Sequence, residues 1–198
     1  GVGNIQPNLH DSGVDFAAWC TYKYMNSSPG GVSGIFVHEK HGNNPDTPRL
    51  AGWWGHKESE RFQMKKGFIP EPGAAGWQLS NAPVLAMAAH KASLDMFDEV
   101  GMDALVAKGK QLNAFLEQVV MDAQAANNKL AFEVITPEER GCQLSMLTNE
   151  NGKALFDYLT ERDVIADWRE PNVIRLAPVP MYNSFTDVWE FGELLKGF

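Results

Sequence analysis

The sequence predicts an α/β chain in two parts, which we place at residues 1–100 and 101–198. Three observations support this fold class. Two short apolar runs flank a turn rich in glycine and proline, two helical patterns occupy the middle of the chain, and strand-like and helix-like segments alternate towards the C terminus. Such alternation is typical of a small α+β domain, in which helices pack on one face of a sheet.

The first part begins with two predicted strands. Residues 14–19 and 32–37 are apolar runs that suit buried strands, and the turn at 27–31 separates them. Residues 39–78 are irregular, with many prolines and glycines and several aromatic side chains. Long loops with such side chains are usually functional or interfacial in compact domains.

Two helices follow. Asn81 is a plausible N-cap for the first, with Pro83 inside its first turn. The second helix starts after Gly101 and ends before Asn127. Apolar residues follow the 3.6-residue period on one face of each helix. They are Leu85, Ala88, Ala89, Ala92, Met96 and Val100 in the first, and Met102, Leu105, Val106, Leu112, Leu116, Val119 and Val120 in the second.

The remaining segments complete the second part. The last helix starts at Ser184, and Asp187 stands at the spacing of a capping box. The other predicted elements are strands at 130–135, 142–147, 164–168 and 173–176, and a helix at 152–162.

Composition excludes several classes of protein. The net charge of −8 and the pI near 5.1 give no electrostatic footprint for nucleic acid. No apolar stretch approaches the roughly 20 residues of a membrane helix, and no leader opens the chain, so we expect no membrane partner and a cytoplasmic protein. The start at Gly1 without methionine suggests a beginning within a domain.

We expect no metal site and no disulfide. Cys20 and Cys142 lie far apart, which suits a reducing compartment. His38 and His41 are closely spaced but have no third ligand of matching context, so surface or hydrogen-bonded histidines are expected. The common motifs of nucleotide-binding proteins, serine hydrolases and zinc proteases are absent.

Lys23 is the first candidate for chemistry. It follows an apolar strand, between Tyr22 and Tyr24. A lysine held among aromatic rings loses hydration, which favours the neutral amine, and a neutral amine is a nucleophile that can form a Schiff base. The alternative is a buried stem whose charged head reaches solvent.

Two further candidates each have a structural alternative. Trp53 and Trp54 stand between glycines and could serve a site, or core or interface packing. Arg175 interrupts an apolar strand. Its guanidinium could hold a substrate carboxylate or form a structural ion pair.

Taken in order, the motifs resemble kynureninase throughout the chain. They are Trp-Cys-Thr-Tyr-Lys-Tyr-Met-Asn with Pro-Gly-Gly, Val-His-Glu-Lys-His, Gly-Trp-Trp-Gly-His, Leu-Ser-Asn-Ala-Pro, Glu-Arg-Gly-Cys-Gln-Leu and Ile-Arg-Leu-Ala-Pro-Val-Pro-Met-Tyr-Asn-Ser-Phe. The resemblance implies the aspartate-aminotransferase fold, fold type I of the enzymes that use pyridoxal 5'-phosphate (PLP). Residues 1–100 would be the end of the large PLP-binding domain, and 101–198 a connector helix with the small C-terminal domain. It also implies a homodimer with shared active sites.

The resemblance assigns roles to individual residues. Lys23 matches the lysine that forms the Schiff base with PLP, and Tyr22 matches a tyrosine that contacts the phosphate and takes part in proton transfer. Trp53 and Asn81 match residues around the cofactor and substrate that the neighbouring subunit contributes.

The remaining roles concern the substrate. Arg175 matches the arginine that pairs with its α-carboxylate, and Trp54 and Asn81 would lie near its aromatic end. An asparagine there resembles members that favour 3-hydroxykynurenine. The implied reaction is hydrolysis of the Cβ–Cγ bond of kynurenine or 3-hydroxykynurenine to an anthranilate and alanine.

The chain departs from the family pattern at its start. The family's Asp-x-Ala-His segment, whose aspartate pairs with the pyridinium nitrogen, is not present, and Asp11 and Asp15 do not match it. We therefore expect the C-terminal half of a kynureninase, which needs the N-terminal half for activity. Two alternatives stay open: another lyase or transaminase of this fold, and a non-catalytic fragment that dimerises.

Overall fold

A computed structural model describes all residues, 1–198. By their contacts they form two compact units, an N-terminal unit of Val2 and Pro7–Glu99 and a C-terminal unit of Gly1, Gly3–Gln6 and Val100–Phe198. The helices and strands are β1 (Phe16–Trp19), β2 (Gly34–Val37), α1 (Glu39–Gly42), a 3₁₀ helix (Gly73–Trp77), α2 (Val84–Val100), α3 (Met102–Ala126), β3 (Phe132–Val134), β4 (Leu144–Thr148), α4 (Gly152–Thr160), β5 (Asp167–Arg169), β6 (Val173–Leu176) and α5 (Phe185–Lys196). None of the helices is long and apolar enough to span a bilayer.

The C-terminal unit is built on an antiparallel sheet in the order β3-β4-β6-β5. Leu144 pairs with Leu176 and Met146 with Ile174, so these four side chains share one face. They belong to a single buried core with residues of three helices, which confirms the predicted α+β arrangement. The helical members are Leu112, Leu116, Val119, Val120 and Ala123 of α3, Leu155 and Leu159 of α4, and Val188, Phe191 and Leu195 of α5.

Local signals in this unit predicted the helix ends well. Helix α3 starts after Gly101 and ends before Asn127, as expected. At the start of α5 the Ser184 hydroxyl accepts from the Asp187 N–H, and the Asp187 carboxylate accepts from the Ser184 N–H, so the capping box is confirmed. Strand β5 begins three residues later than the predicted 164, and Ile165 is left fully exposed.

A polar network ties the first residues of the chain into the C-terminal unit. The Cys142 N–H donates to Asn4 Oδ1 at 2.8 Å, and the Cys142 carbonyl accepts from Asn113 Nδ2 at 2.9 Å. Arg140 donates from Nε to Asn113 Oδ1 and pairs with Glu117. Burial raises the pKa of the Cys142 thiol to about 11, which is the behaviour of a structural cysteine.

The N-terminal unit has far less buried apolar surface. Strands β1 and β2 form an antiparallel hairpin in which Phe16 faces Val37. The prediction of buried strands was wrong, because no residue of either strand is buried and Phe16 and Ile35 are nearly half exposed. Two strands form the whole sheet of this unit, so no neighbouring strand covers them.

Helix α2 differs from its prediction at both its start and its face. It begins at Val84, so Asn81 lies outside it and is exposed rather than acting as the N-cap. Its buried residues are His90, Ser93 and Phe97, whereas the predicted apolar face is exposed, with Leu85 87% accessible. The 3.6-residue period of apolar residues is present in α2, but no element of this unit covers that face.

Candidate functional site

The connection between β1 and β2, which we call the lysine loop (residues 20–33), is closed at its base by buried hydroxyl groups. The Ser27 N–H donates to the Thr21 carbonyl at 3.1 Å, and the two side-chain oxygens lie 2.7 Å apart. Thr21 Oγ1 also donates to the Val32 carbonyl. Both hydroxyl residues are 4% exposed. Because buried hydroxyls that bond each other resist separation, the loop base is well defined.

Two further features constrain the lysine loop. Ser93 of α2, which is 5% exposed, donates its hydroxyl to the Met25 carbonyl at 2.8 Å. Asn26 and Ser28 have φ of 54° and 63°, and Gly30 has a φ of 84°. Positive φ is unusual for residues other than glycine and marks a backbone that its surroundings hold in place.

Lys23 projects from this loop into solvent. Its side chain is exposed, and Nζ lies 5.4 Å from the ring centroid of Tyr22, which is itself 47% exposed. It forms no ion pair in residues 1–198. The ring of Tyr22 lies beside the amine, and the expected setting of Lys23 among several aromatic rings stays a prediction. Buried hydroxyls around Thr21 fix the base of this segment.

The Gly-Trp-Trp-Gly-His segment packs its backbone against residues 76–79. The Gly55 N–H donates to the Gln78 carbonyl at 2.8 Å, and a Cβ on Gly55 would lie 2.8 Å from that same oxygen. A side chain would not fit there, which explains the glycine. The backbone of Trp53 and Trp54, between these glycines, therefore lies against the segment that precedes Asn81.

The two tryptophans have different surroundings. Trp53 is 40% exposed and meets Phe62 edge-on, with ring centroids 5.4 Å apart. Trp54 is half-buried under Arg61, whose guanidinium carbon lies 4.3 Å from the ring centroid. Arg61 also donates to the Trp54 carbonyl at 3.0 Å. Arg61 therefore contacts both the ring and the backbone of Trp54, which is compatible with a role of Trp54 in packing. Trp53 and Asn81, in contrast, are exposed.

Arg175 lies on β6, in the C-terminal unit. Its side chain is 32% exposed and pairs with Asp167 of β5, to which Nε donates at 2.6 Å. The structural ion pair considered for this arginine is thus present. Asp167 was not identified from the sequence, although the predicted adjacent strands around a Glu-Pro-Asn turn could have placed it opposite Arg175.

The carboxylates near the start of the chain are engaged elsewhere. Asp15 accepts from Lys40 Nζ at 2.6 Å and from His41 Nε2 at 2.7 Å, and these hydrogen bonds lower the pKa of Asp15 to about 2. Asp11 accepts from Asn8 and His10, and the bond to His10 is the main cause of its lowered pKa. Both carboxylates therefore already have hydrogen-bonding partners within this chain.

Four of the five histidines, His10, His38, His41 and His56, are hydrogen-bonded as predicted, whereas His90 is buried and its Nε2 has no hydrogen-bond partner. His38 caps α1 by accepting from the Lys40 N–H, His41 pairs with Asp15, and His56 Nδ1 accepts from the Ile69 N–H. Hydrogen bonds that His10 donates to Asp11 and Glu39 favour its protonated form and raise the pKa of His10. No group of three histidine, cysteine, aspartate or glutamate side chains in residues 1–198 is placed to hold a metal ion.

Comparison with known sequences points to one family. A family model described as the kynureninase C-terminal domain matches residues 105–195. The kynureninase of Flavobacterium johnsoniae is 56% identical over 198 residues, covering 98% of this chain, and that of Xanthomonas euvesicatoria is 52% identical over 203 residues, covering 100%. The resemblance to kynureninase is confirmed. The chain spans about half the length of these kynureninases, 46% and 47% respectively.

Solved structures show the fold class. The cystine C–S lyase C-DES, in complex with cysteine persulfide, matches 100% of this chain and 50% of its own with a TM-score of 0.73 at 16% identity. A cysteine desulfurase from Thermococcus onnurineus matches 98% and 49% with a TM-score of 0.72 at 13% identity. The chain therefore has the fold of type I PLP enzymes, as the kynureninase resemblance implied.

Proposed function

We propose that the protein containing this chain is a kynureninase, which hydrolyses the Cβ–Cγ bond of L-kynurenine or 3-hydroxy-L-kynurenine to anthranilate or 3-hydroxyanthranilate and L-alanine. The observation that supports it most is 52–56% identity to kynureninases across the whole chain. This activity would place the protein in tryptophan catabolism.

The proposed cofactor is PLP, and the residues of the lysine loop fit it. One solved relative of the fold is described as having glycine covalently linked to its PLP cofactor. Here Lys23 offers an exposed primary amine with no carboxylate partner, and Tyr22 beside it offers an exposed phenol. PLP requires an amine for the covalent bond, which Lys23 can supply, and its phosphate can accept a hydrogen bond from the hydroxyl of Tyr22. The pyridinium partner is not among Asp11 and Asp15, so we assign it to the N-terminal half.

PLP, when bound, supplies the electron sink that stabilises negative charge at the substrate α-carbon. Lys23 would have two tasks in the proposal: its Nζ would hold the cofactor, and as a neutral amine it would take the substrate α-proton as general base. Tyr22 binds phosphate through its hydroxyl and relays protons. The hydrogen bonds that fix the lysine loop support both tasks, because a fixed backbone limits the positions that Nζ can reach.

Arg175 and the exposed aromatic segment have roles towards the substrate in this proposal. Arg175 orients the substrate by pairing with its α-carboxylate. Trp53 and Asn81 face cofactor and substrate in the neighbouring subunit, and their exposure in this chain is compatible with that role. Trp54, with Asn81, lies at the aromatic end of the substrate, and the asparagine favours the 3-hydroxy form.

The proposed partners are the N-terminal half of the same protein and a second subunit. The N-terminal unit leaves many large apolar side chains exposed, and water-exposed apolar surface of this extent marks an interface. They include Phe16, Ile35, Leu50, Phe62, Met64, Leu79, Val84 and Leu85. Since the chain spans about half of its relatives, the N-terminal half is the proposed cover. The free thiols of Cys20 and Cys142 support a cytoplasmic location.

The test is to supply the full-length protein with PLP and L-kynurenine or its 3-hydroxy form and to quantify products by chromatography. Equal amounts of alanine and an anthranilate are expected, and the 198-residue chain alone should give neither. An oxo acid in place of alanine would identify a transaminase instead. Turnover by the isolated chain at the full-length rate would show that the N-terminal half is not needed.

A further inference from the structure

We propose that Asp167 is a positioning residue for substrate binding: it holds Arg175 from the side, so that the end of the guanidinium stays open for the α-carboxylate. The inference deepens the proposed function, on which the role of Arg175 rests.

The sheet places the two residues directly opposite each other. Asp167 of β5 is the cross-strand partner of Arg175 on β6, and Ser145 of β4 is the partner of Arg175 on its other side. Side chains directly opposite in antiparallel strands share a face. The three residues therefore form a polar row on one face of the sheet. Ile174 and Leu176 are buried in the core on the opposite face.

One oxygen of Asp167 makes all of its contacts. Oδ2 accepts from Arg175 Nε at 2.6 Å and from Arg175 Nη2, and it also accepts from Arg169 Nε at 3.0 Å. A guanidinium has five N–H groups, and this side-on contact uses one from Nε and one from Nη2. The edge formed by Nη1 and the second Nη2 hydrogen can still receive a carboxylate with two parallel hydrogen bonds.

The charges in this row leave room for a second carboxylate. Arg169 and Arg175 are both cationic, and Asp167 is the carboxylate that both of them contact. One positive charge therefore stays without a counter-ion in this cluster. An anionic ligand at Arg175 would complete the balance without displacing Asp167.

Side-on holding also reduces the cost of binding. An arginine side chain has several rotatable bonds, and a ligand that must order them loses affinity, by about two- to twelvefold for one such side chain. Arg175 is two-thirds buried and already bonded through Nε. The ordering is thus complete before the substrate arrives.

The test compares Asp167→Ala, Asp167→Asn and, as a matched control, Asp157→Asn in the full-length protein. Asp157 is an exposed carboxylate on α4 that pairs with Lys153. Asparagine retains one side-chain oxygen, and one oxygen makes all three contacts, so Asp167→Asn should keep the geometry. For each variant we would measure the steady-state kinetics with kynurenine and compare the binding affinities of L-alanine and L-alaninamide. We would also record the ¹⁵N NMR signal of Arg175 Nε, which is assigned by its absence in Arg175→Lys.

Asp167→Ala should raise KM about five- to tenfold with kcat changed less than threefold, and should reduce the preference for alanine over alaninamide by a similar factor. Asp167→Asn and Asp157→Asn should stay within threefold of wild type. The slowly exchanging Nε–H of Arg175 should persist in Asp167→Asn and be lost in Asp167→Ala. Should Asp167→Ala fail to fold, Asp167→Ser takes its place.

Two outcomes would overturn the proposal. An unchanged KM and an unchanged Nε signal in Asp167→Ala would show that Arg175 needs no holding. Equal losses in the alanine and asparagine variants would show that the charge of Asp167 matters and its position does not. A wild-type protein that releases no alanine from kynurenine would instead refute the proposed function, and the Nε signal would still report on the positioning.

Discussion

The hydroxyl of Ser93 on α2 donates a hydrogen bond of 2.8 Å to the carbonyl oxygen of Met25, 68 residues earlier in the chain. This contact joins the helix to the lysine loop two residues beyond Lys23. Since Ser93 is buried and Met25 is in a loop, the bond is one of the few fixed points from which Lys23 extends.

Replacing Ser93 with alanine should loosen the lysine loop. The Met25 carbonyl would lose a buried donor, so the free energy of unfolding should fall by about 1–3 kcal/mol. Lys23 should also be labelled less completely when PLP is added and reduced with borohydride. Ser59→Ala, at an exposed serine, is the control. Unchanged labelling in Ser93→Ala would show that α2 does not position Lys23.

Lys23→Arg in the full-length protein should abolish borohydride labelling with PLP and reduce turnover of kynurenine by at least about 10²–10⁴-fold, since arginine keeps the positive charge but cannot act as nucleophile or base. Peptide mapping of the wild-type protein should find the label on Lys23. A label on another lysine, for example Lys40, would contradict the assignment.

Arg175→Lys should weaken substrate binding more than it slows chemistry. A lysine supplies a point charge but not the planar fork, and a charge-assisted hydrogen bond contributes about 1.5–3 kcal/mol. We expect KM for kynurenine to rise about ten- to hundredfold. Kinetics with Arg162→Lys, an exposed arginine after α4, provide the comparison and should match wild type.

Leu85→Ala tests whether the N-terminal half covers α2. Leu85 is 87% exposed in this chain, so the substitution should change the stability of the 198-residue chain by less than about 0.5 kcal/mol. In the full-length protein it should lower the free energy of unfolding by about 2–5 kcal/mol, as burial of a leucine implies. Urea unfolding of both lengths measures this.

Leu112→Ala is the matched control for that experiment. Leu112 is fully buried within the core of the C-terminal unit, so it should lower stability by about 2–5 kcal/mol at both lengths. If Leu85→Ala changed the free energy of unfolding equally at the two lengths, the proposal that the N-terminal half covers α2 would be wrong.

Cys142 should resist thiol reagents where Cys20 reacts. Burial raises the Cys142 pKa to about 11, above its unfolded value of 9.0, so the native thiol stays protonated at pH 8 and is also 1% exposed. As pH rises from about 9 towards 11, the unfolded thiol ionises first, and stability should fall across that interval. Alkylation followed by mass spectrometry should label Cys142 after urea is added.

Sequence patterns predicted the C-terminal unit better than the N-terminal unit, for a physical reason. The Ser184 capping box and the apolar period of α3 are satisfied by neighbours within the chain, so pattern and burial agree. The apolar face of α2 is also periodic, but Leu85 and Met96 on it are exposed in this chain. Periodicity reports which face is apolar and does not report what covers it.

The candidate site shows the same division. Lys23 could be selected from its place after a strand and from the resemblance to a family, because both depend on local sequence. Its support by Ser93 and the holding of Arg175 by Asp167 depend on pairings across a helix contact and a strand register. The contact of Ser93 follows from the tertiary fold, so no local pattern indicates it. The pairing of Asp167 with Arg175 needs the strand register, which the turn at 170–172 could have supplied.

The bond from the Cys142 N–H to Asn4 has a practical consequence for anyone who divides this protein. A cut near residue 100, between the two units, would leave the acceptor for a buried amide on the other piece. A segment expressed from residue 100 onward should be less stable than its large core suggests, and a short peptide that contains residues 3–6, added in trans, should restore part of that stability.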